Sequence, residues 1–115
     1  MEEIILVTKS IGKKELKDVA SRRFGDMVKA VVDLEKQIMA IGGELHADEE
    51  AFLLQKGSKQ ENLWGINIYP ELNIPDVVEF DSMINIRPRQ NNRSRSVESE
   101  DIKNKIIKIV KALIQ

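Results

Sequence analysis

An α+β fold, built as a small antiparallel sheet of about four strands packed on N- and C-terminal helices, is predicted by three features of the sequence. Apolar residues recur at helical spacing near both ends, as Leu16, Val19, Ala20 and Phe24 and again as Ile102, Ile106, Ile109, Val110 and Leu113. Between them lie β-branched and aromatic runs over Val28–Leu34, Ile38–Ile41, Leu63–Tyr69 and Val78–Arg87. Gly25, Gly42-Gly43, Gly57 and Pro70 punctuate the change from one pattern to the next.

Each element follows from local chemistry. Ile4–Val7 is a short apolar run suited to a buried or edge strand, and Thr8 or Ser10 can open the helix that follows. That first helix is expected from about Lys13 to Phe24, with Arg22 and Arg23 in its last turn and Gly25 at the left-handed position beyond it. A competing reading continues the helix to Ile41, since Leu16, Ala20, Phe24, Met27, Val31, Leu34 and Ile38 form one stripe. That reading must carry Gly25 in mid-helix, at a cost of about 1 kcal/mol relative to Ala. Two strands with a turn near Glu35–Gln37 are the expectation, although Glu35-Lys36-Gln37 is a better helix tripeptide than a turn one.

Ala47–Lys56 reads as a short helix with Asp48, Glu49 and Glu50 on its first turn and Gly57 closing it. Leu63–Tyr69 is a strand ended by Pro70, and 71–76 is a loop. Val78–Arg87 is expected as the antiparallel neighbour. Phe80, Ser82, Ile84 and Ile86 would line one of its faces and Asp81, Met83, Asn85 and Arg87 the other, with Asn67 able to join the polar face. A closing helix begins near Ser99.

Composition bounds the function. A chain of 115 residues is expected to form one domain, and 32% charged residues against 42% hydrophobic ones describe a globular chain. A net charge of −1 argues against a general nucleic-acid or membrane binder, so any affinity for a polyanion must come from a patch. The absence of cysteine removes disulfides and thiolate metal sites, which fits a reducing cytoplasm. The start, MEEIILVTKS, is acidic ahead of its apolar run, opposite to a secretory leader. No apolar stretch approaches the ~20 residues needed to span a bilayer.

The stretch richest in chemistry is Glu79–Ser99. Four of the six arginines, Arg87, Arg89, Arg93 and Arg95, fall within it, and no acid interrupts Ser82–Val97. Asn91 and Asn92 supply short donors among guanidinium forks that suit phosphate or carboxylate oxygens. The expectation is a loop that holds an anionic partner, either RNA or a phosphorylated small molecule, with no cofactor. The opposing reading is a solvated loop tied down by its own acids, Glu98, Glu100 and Asp101.

Other constellations are weaker. His46, Asp48 and Glu49 could hold a divalent metal or make a His general base in a hydrolase, but a single histidine lacks the spacing that metallohydrolases show. The preferred reading is a partly buried histidine just before a helix whose acids cap it. An Asp81–Arg87 catalytic pairing would have to bridge about 20 Å along a strand. Neither a nucleophile elbow nor a phosphate-binding loop is present. Trp64 and Tyr69 could stack a base if exposed, and otherwise belong to the core. A homodimer contact could use leftover apolar residues such as Ile107 and Ile114. A third class, a protein–protein interaction module, would announce itself by an exposed apolar patch.

The segments RRFGDMVKAVVD, GGELHADEE, KGSKQENLWGINIYP and EFDSMINIRPRQNNRSR, followed by the closing helix, resemble a family of small prokaryotic proteins known only as a domain of unknown function. The resemblance spans about Lys14 to Leu113. It implies a stand-alone bacterial or archaeal protein and assigns no activity to any residue.

Overall fold

A computed structural model describes residues 3–73 and 76–115. Five strands form one antiparallel sheet: β1 (Ile5–Val7), β2 (Val28–Asp33), β3 (Ile38–Ile41), β4 (Leu63–Ile68) and β5 (Val78–Glu79), in the order β1-β3-β2-β4-β5. Three helices accompany them: α1 (Lys13–Arg23), α2 (His46–Gln55) and α3 (Glu100–Leu113).

The sheet has helices on both faces. Val28, Ala30 and Val32 on β2, with Trp64, Ile66 and Ile68 on β4, pack on Leu16, Val19 and Ala20 of α1 and on Ile106, Ile109, Val110 and Leu113 of α3. This is the larger core, and each fully buried aliphatic side chain in it contributes about 1.5–3 kcal/mol. On the opposite face a smaller cluster joins Val31, Ala40 and Leu63 to Leu53 of α2, with Ile84 packed against it. Because both faces are covered, β4 is buried along its whole length, which is why its alternation is weak in the sequence.

The hairpin reading of 26–41 holds. Gly25 adopts φ +93°, and its N–H reaches back to Ala20 O at 2.7 Å, so α1 stops there. The turn that looked unfavourable is made by Asp33: its Oδ1 accepts from Glu35 N–H (2.9 Å) and Lys36 N–H (3.0 Å), while Ser58 Oγ donates to Oδ2. Gln37 then takes a left-handed φ of 56°.

Three expectations are corrected. The helix start after β1 is Gly12, with no side-chain cap; Ile11 is held instead by α3, its N–H donating to Leu113 O at 2.7 Å. The strand expected over Val78–Arg87 ends at Glu79, and Met83–Asn85 is a 3₁₀ turn. There Phe80 packs on the larger core, Ile84 on the smaller one and Ile86 reaches the surface, so the alternating residues do not share one strand face. The helix expected from Ala47 begins one residue earlier, at His46. The loop expected over 71–76 includes Ile74 and Pro75, which lie outside the described residues.

Candidate functional site

The segment after β5 leaves the sheet edge and lies over β4. Gly65 makes room for it, since a Cβ at this position would sit 2.6 Å from both Cβ and Oγ of Ser82. With β5 only two residues long, the edge-facing polar groups of Gly65 have no strand partner, and the Asn85 side chain takes that role. Gly65 N–H donates to Asn85 Oδ1 (2.8 Å), and Asn85 Nδ2 donates to Gly65 O (2.9 Å) and Arg95 O (3.1 Å). One carboxamide therefore substitutes for a missing peptide unit.

Asn92 organises the rest of the loop. Its Nδ2 donates to Asn85 O (2.7 Å), Ser96 O (2.7 Å) and Ser94 O (3.2 Å), and its Oδ1 accepts from Glu98 N–H (2.8 Å). Asn91, just before it, sits at φ 60° with its side chain exposed. Glu98 closes the turn by accepting from Arg93 N–H and Ser94 N–H, both at 2.8 Å. These bonds, with that from the Ser94 side chain first among them, hold the Glu98 carboxyl below its ordinary pKa.

The four arginines divide. Arg87 turns inward: Nη2 pairs with Glu50 Oε2 at 3.2 Å, Nη1 donates to Gln60 O at 2.9 Å, and the guanidinium lies 5.0 Å from the Trp64 ring centre. Burial disfavours its charge and lowers its pKa, an effect that Glu50 on α2 only partly offsets. Arg95 Nε is 2.7 Å from Asp81 Oδ1 in an ion pair about half exposed on both sides. Arg89 and Arg93 are exposed, and among the described residues neither side chain is in a hydrogen bond or a close ion pair, although the charge of Arg93 acts on Glu98. Of the residues expected to bind an anion, Arg87 and Asn92 thus build the loop, Arg95 is shared with Asp81, and Arg89, Asn91 and Arg93 face outward.

The expected polar face is only partly assembled. Asn67 Nδ2 donates to Glu79 Oε1 (2.8 Å) and Asp81 O (3.3 Å), and the Tyr69 hydroxyl donates to the same Glu79 oxygen at 3.1 Å. Asp81 meets Arg95, not Arg87. Trp64 is core, 1% exposed.

His46 begins α2 and is buried. Its Nε2 lies 2.8 Å from Ile66 O, which can only accept, so Nε2 carries the proton. Burial pushes the imidazole below its ordinary pKa, against the opposing effect of that bond. Glu49 is also buried, its Oε2 accepting from Gly43 N–H at 2.9 Å. Among the described residues no group of three His, Cys, Asp or Glu side chains is placed to hold a metal ion. Nor is any helix there long and apolar enough to cross a membrane.

What the sequence reading missed is apolar. The 3₁₀ turn directs Ser82 and Asn85 inward and leaves Met83 65% and Ile86 40% exposed, on the same segment as the arginines. Leu45, 53% exposed, heads α2, the helix packed against this turn. Gly65 was the available signal, since an isolated glycine inside a strand marks close approach of another segment.

A family model for proteins of unknown function, DUF5674, matches residues 5–113. The chain belongs to this family. Neither the curated proteins nor the solved structures contain a match. For this DUF5674 member, any functional reading therefore rests on the geometry above.

Proposed function

We propose that this DUF5674 protein is an interaction module that docks an acidic partner protein on the face formed by Leu45, Met83, Ile86, Arg89 and Arg93. The observation that carries the reading is Met83, the most exposed large hydrophobic among the described residues, on a segment held down by two fully engaged buried asparagines. A loop with so many internal hydrogen bonds presents its outward side chains in fixed positions, which lowers the entropic cost of docking. Methionine and arginine are the residue types that interfaces favour, and an exposed apolar group rimmed by charge is a common mark of a contact surface.

The same geometry weighs against the other readings. An RNA strand or a phosphorylated metabolite would draw on all four guanidiniums, but Arg87 is spent on Glu50 and Arg95 on Asp81. The single tryptophan is buried, so it offers no platform for a base. A hydrolase centred on His46, Asp48 and Glu49 is disfavoured by the burial of His46 and because, among the described residues, no group of three His, Cys, Asp or Glu side chains is placed to hold a metal ion.

A photo-crosslinking residue at Met83, introduced in cells, would trap the partner, which is then purified and titrated against the intact chain. Ile86→Glu, and separately Arg89→Glu with Arg93→Glu, should each weaken binding, the arginine pair more strongly at low salt. Equal affinity for both variants would overturn the reading. So would adducts consisting of RNA in place of protein.

A further inference from the structure

A second surface, remote in sequence from the arginine loop, has the make-up of a ligand site. Between the end of β1, the β2–β3 turn and the outer edge of α3 lies an open groove of about 880 Å³, within the size range of small-molecule sites. Its apolar lining is aliphatic, with Leu34, Ile109, Ala112 and Leu113, and it includes no aromatic ring.

Four lysines line it as well: Lys9 from the end of β1, Lys36 from the turn, and Lys105 and Lys108 one helical turn apart on α3. Glu35 is the one acid in the lining. The lysines are weakly held. Lys9 and Lys108 have no ion pair among the described residues, Lys105 reaches Asp101 at 3.4 Å in an exposed pair, and Lys36 Nζ donates to Lys56 O at 3.3 Å. An exposed i,i+4 pair is worth a few tenths of a kcal/mol, so Lys105 can turn to a ligand at little cost. In a chain of net charge −1, four ammonium groups against one carboxylate give this groove of mixed polar and aliphatic lining a local excess of positive charge that an anion would complement. Low-dielectric walls focus their field into the groove.

We propose that this groove binds a small aliphatic organic anion, with its phosphate or carboxylate head among Lys9, Lys105 and Lys108 and its hydrocarbon body against Leu34, Ile109 and Ala112. The aliphatic lining disfavours a nucleotide, because it offers no ring for a base to stack on. Ammonium groups on flexible stems suit such a head as point charges, without the fixed fork that arginine imposes.

Titration of the intact chain with octyl phosphate, octanoate, octanol and inorganic phosphate by calorimetry tests this. Octyl phosphate or octanoate should bind saturably, one per chain, and the better of the two identifies the head group. Octanol and inorganic phosphate, each lacking half of the ligand, should bind at least about tenfold more weakly. Lys105→Glu with Lys108→Glu should lose about tenfold or more in affinity, and Lys9→Glu, on a different element, should also weaken binding. All three side chains are exposed, so the fold should be kept, which circular dichroism checks. No saturable binding of either amphiphile, unchanged affinity in both variants, or inorganic phosphate binding as tightly as octyl phosphate would each overturn the proposal.

Discussion

Replacing Asn85 by Ala tests the account of how the arginine loop is attached. The side chain is fully buried and makes three hydrogen bonds, one accepted from Gly65 N–H and two donated, to Gly65 O and Arg95 O. Truncation leaves the Gly65 N–H facing an emptied space at the sheet edge, with no strand beside it. A buried polar group without a partner costs about 1–3 kcal/mol, and the donor and the two carbonyls together should cost about 2–5 kcal/mol once partial relief by water is allowed for. That is a large share of the 5–15 kcal/mol typical of a domain. Urea denaturation should show a lower midpoint with an unchanged m-value, since little apolar surface is involved. Asn85→Asp keeps the shape and the acceptor but removes both donors and sets a buried carboxylate against two carbonyl oxygens, so it should cost at least as much. A loss below about 1 kcal/mol for Asn85→Ala, or an Asp variant as stable as the parent, would refute the claim that this amide stands in for a strand.

Three further predictions follow from the same geometry. Arg87→Ala strands Glu50 in a pair whose side chains are 10% and 14% exposed, and should destabilise by about 3–5 kcal/mol; adding Glu50→Ala should recover part of this, and a simple sum in the double-mutant cycle would count against the pairing. Gly65→Ala pushes a methyl into Ser82 and should cost about 1–3 kcal/mol by chemical denaturation, partly restored by Ser82→Gly, whereas a neutral Gly65→Ala would mean that the turn is not seated on β4. His46 has a folded pKa below its ordinary 6.5, so the unfolded chain takes up that proton first; stability should be full above about pH 6.5 and decline as the pH falls toward the lower folded value. Thermal melts of His46→Gln should lack this decline in the range above carboxylate titration, and a parent protein equally stable throughout it would contradict the assignment.

Much of the fold was legible because it depends on local rules. The stripe from Ile102 to Leu113 is long and strictly periodic, and Gly25 stops α1 for a steric reason that any sequence reader can apply. The β2–β3 turn was less legible, because the residue that makes it, Asp33, precedes the Glu35-Lys36-Gln37 tripeptide and lies at the end of the strand. The stretch Phe80–Arg87 failed for a different reason. Its alternation satisfied the period of a strand, but whether an alternating segment pairs with β4 or crosses over it depends on Gly65, some twenty residues away.

The site divides along the same line. That arginines, asparagines and serines gather in one loop is a property of the chain, and so is the local excess of positive charge. Which guanidinium is free is not, because Glu50, Trp64 and Asp81 reach Arg87 and Arg95 from other elements, and Coulomb attraction at about 3 Å depends on distance in space. The sequence by itself determined the helices, the hairpin and the presence of a basic loop, all set by neighbours along the chain. Only the tertiary structure decided that Arg89 and Arg93 remain outward, that Met83 and Ile86 join them at the surface, and that four lysines from three separate segments meet around one groove. Each of those outcomes is a long-range contact made or withheld, and such contacts exist only once the chain has closed on itself.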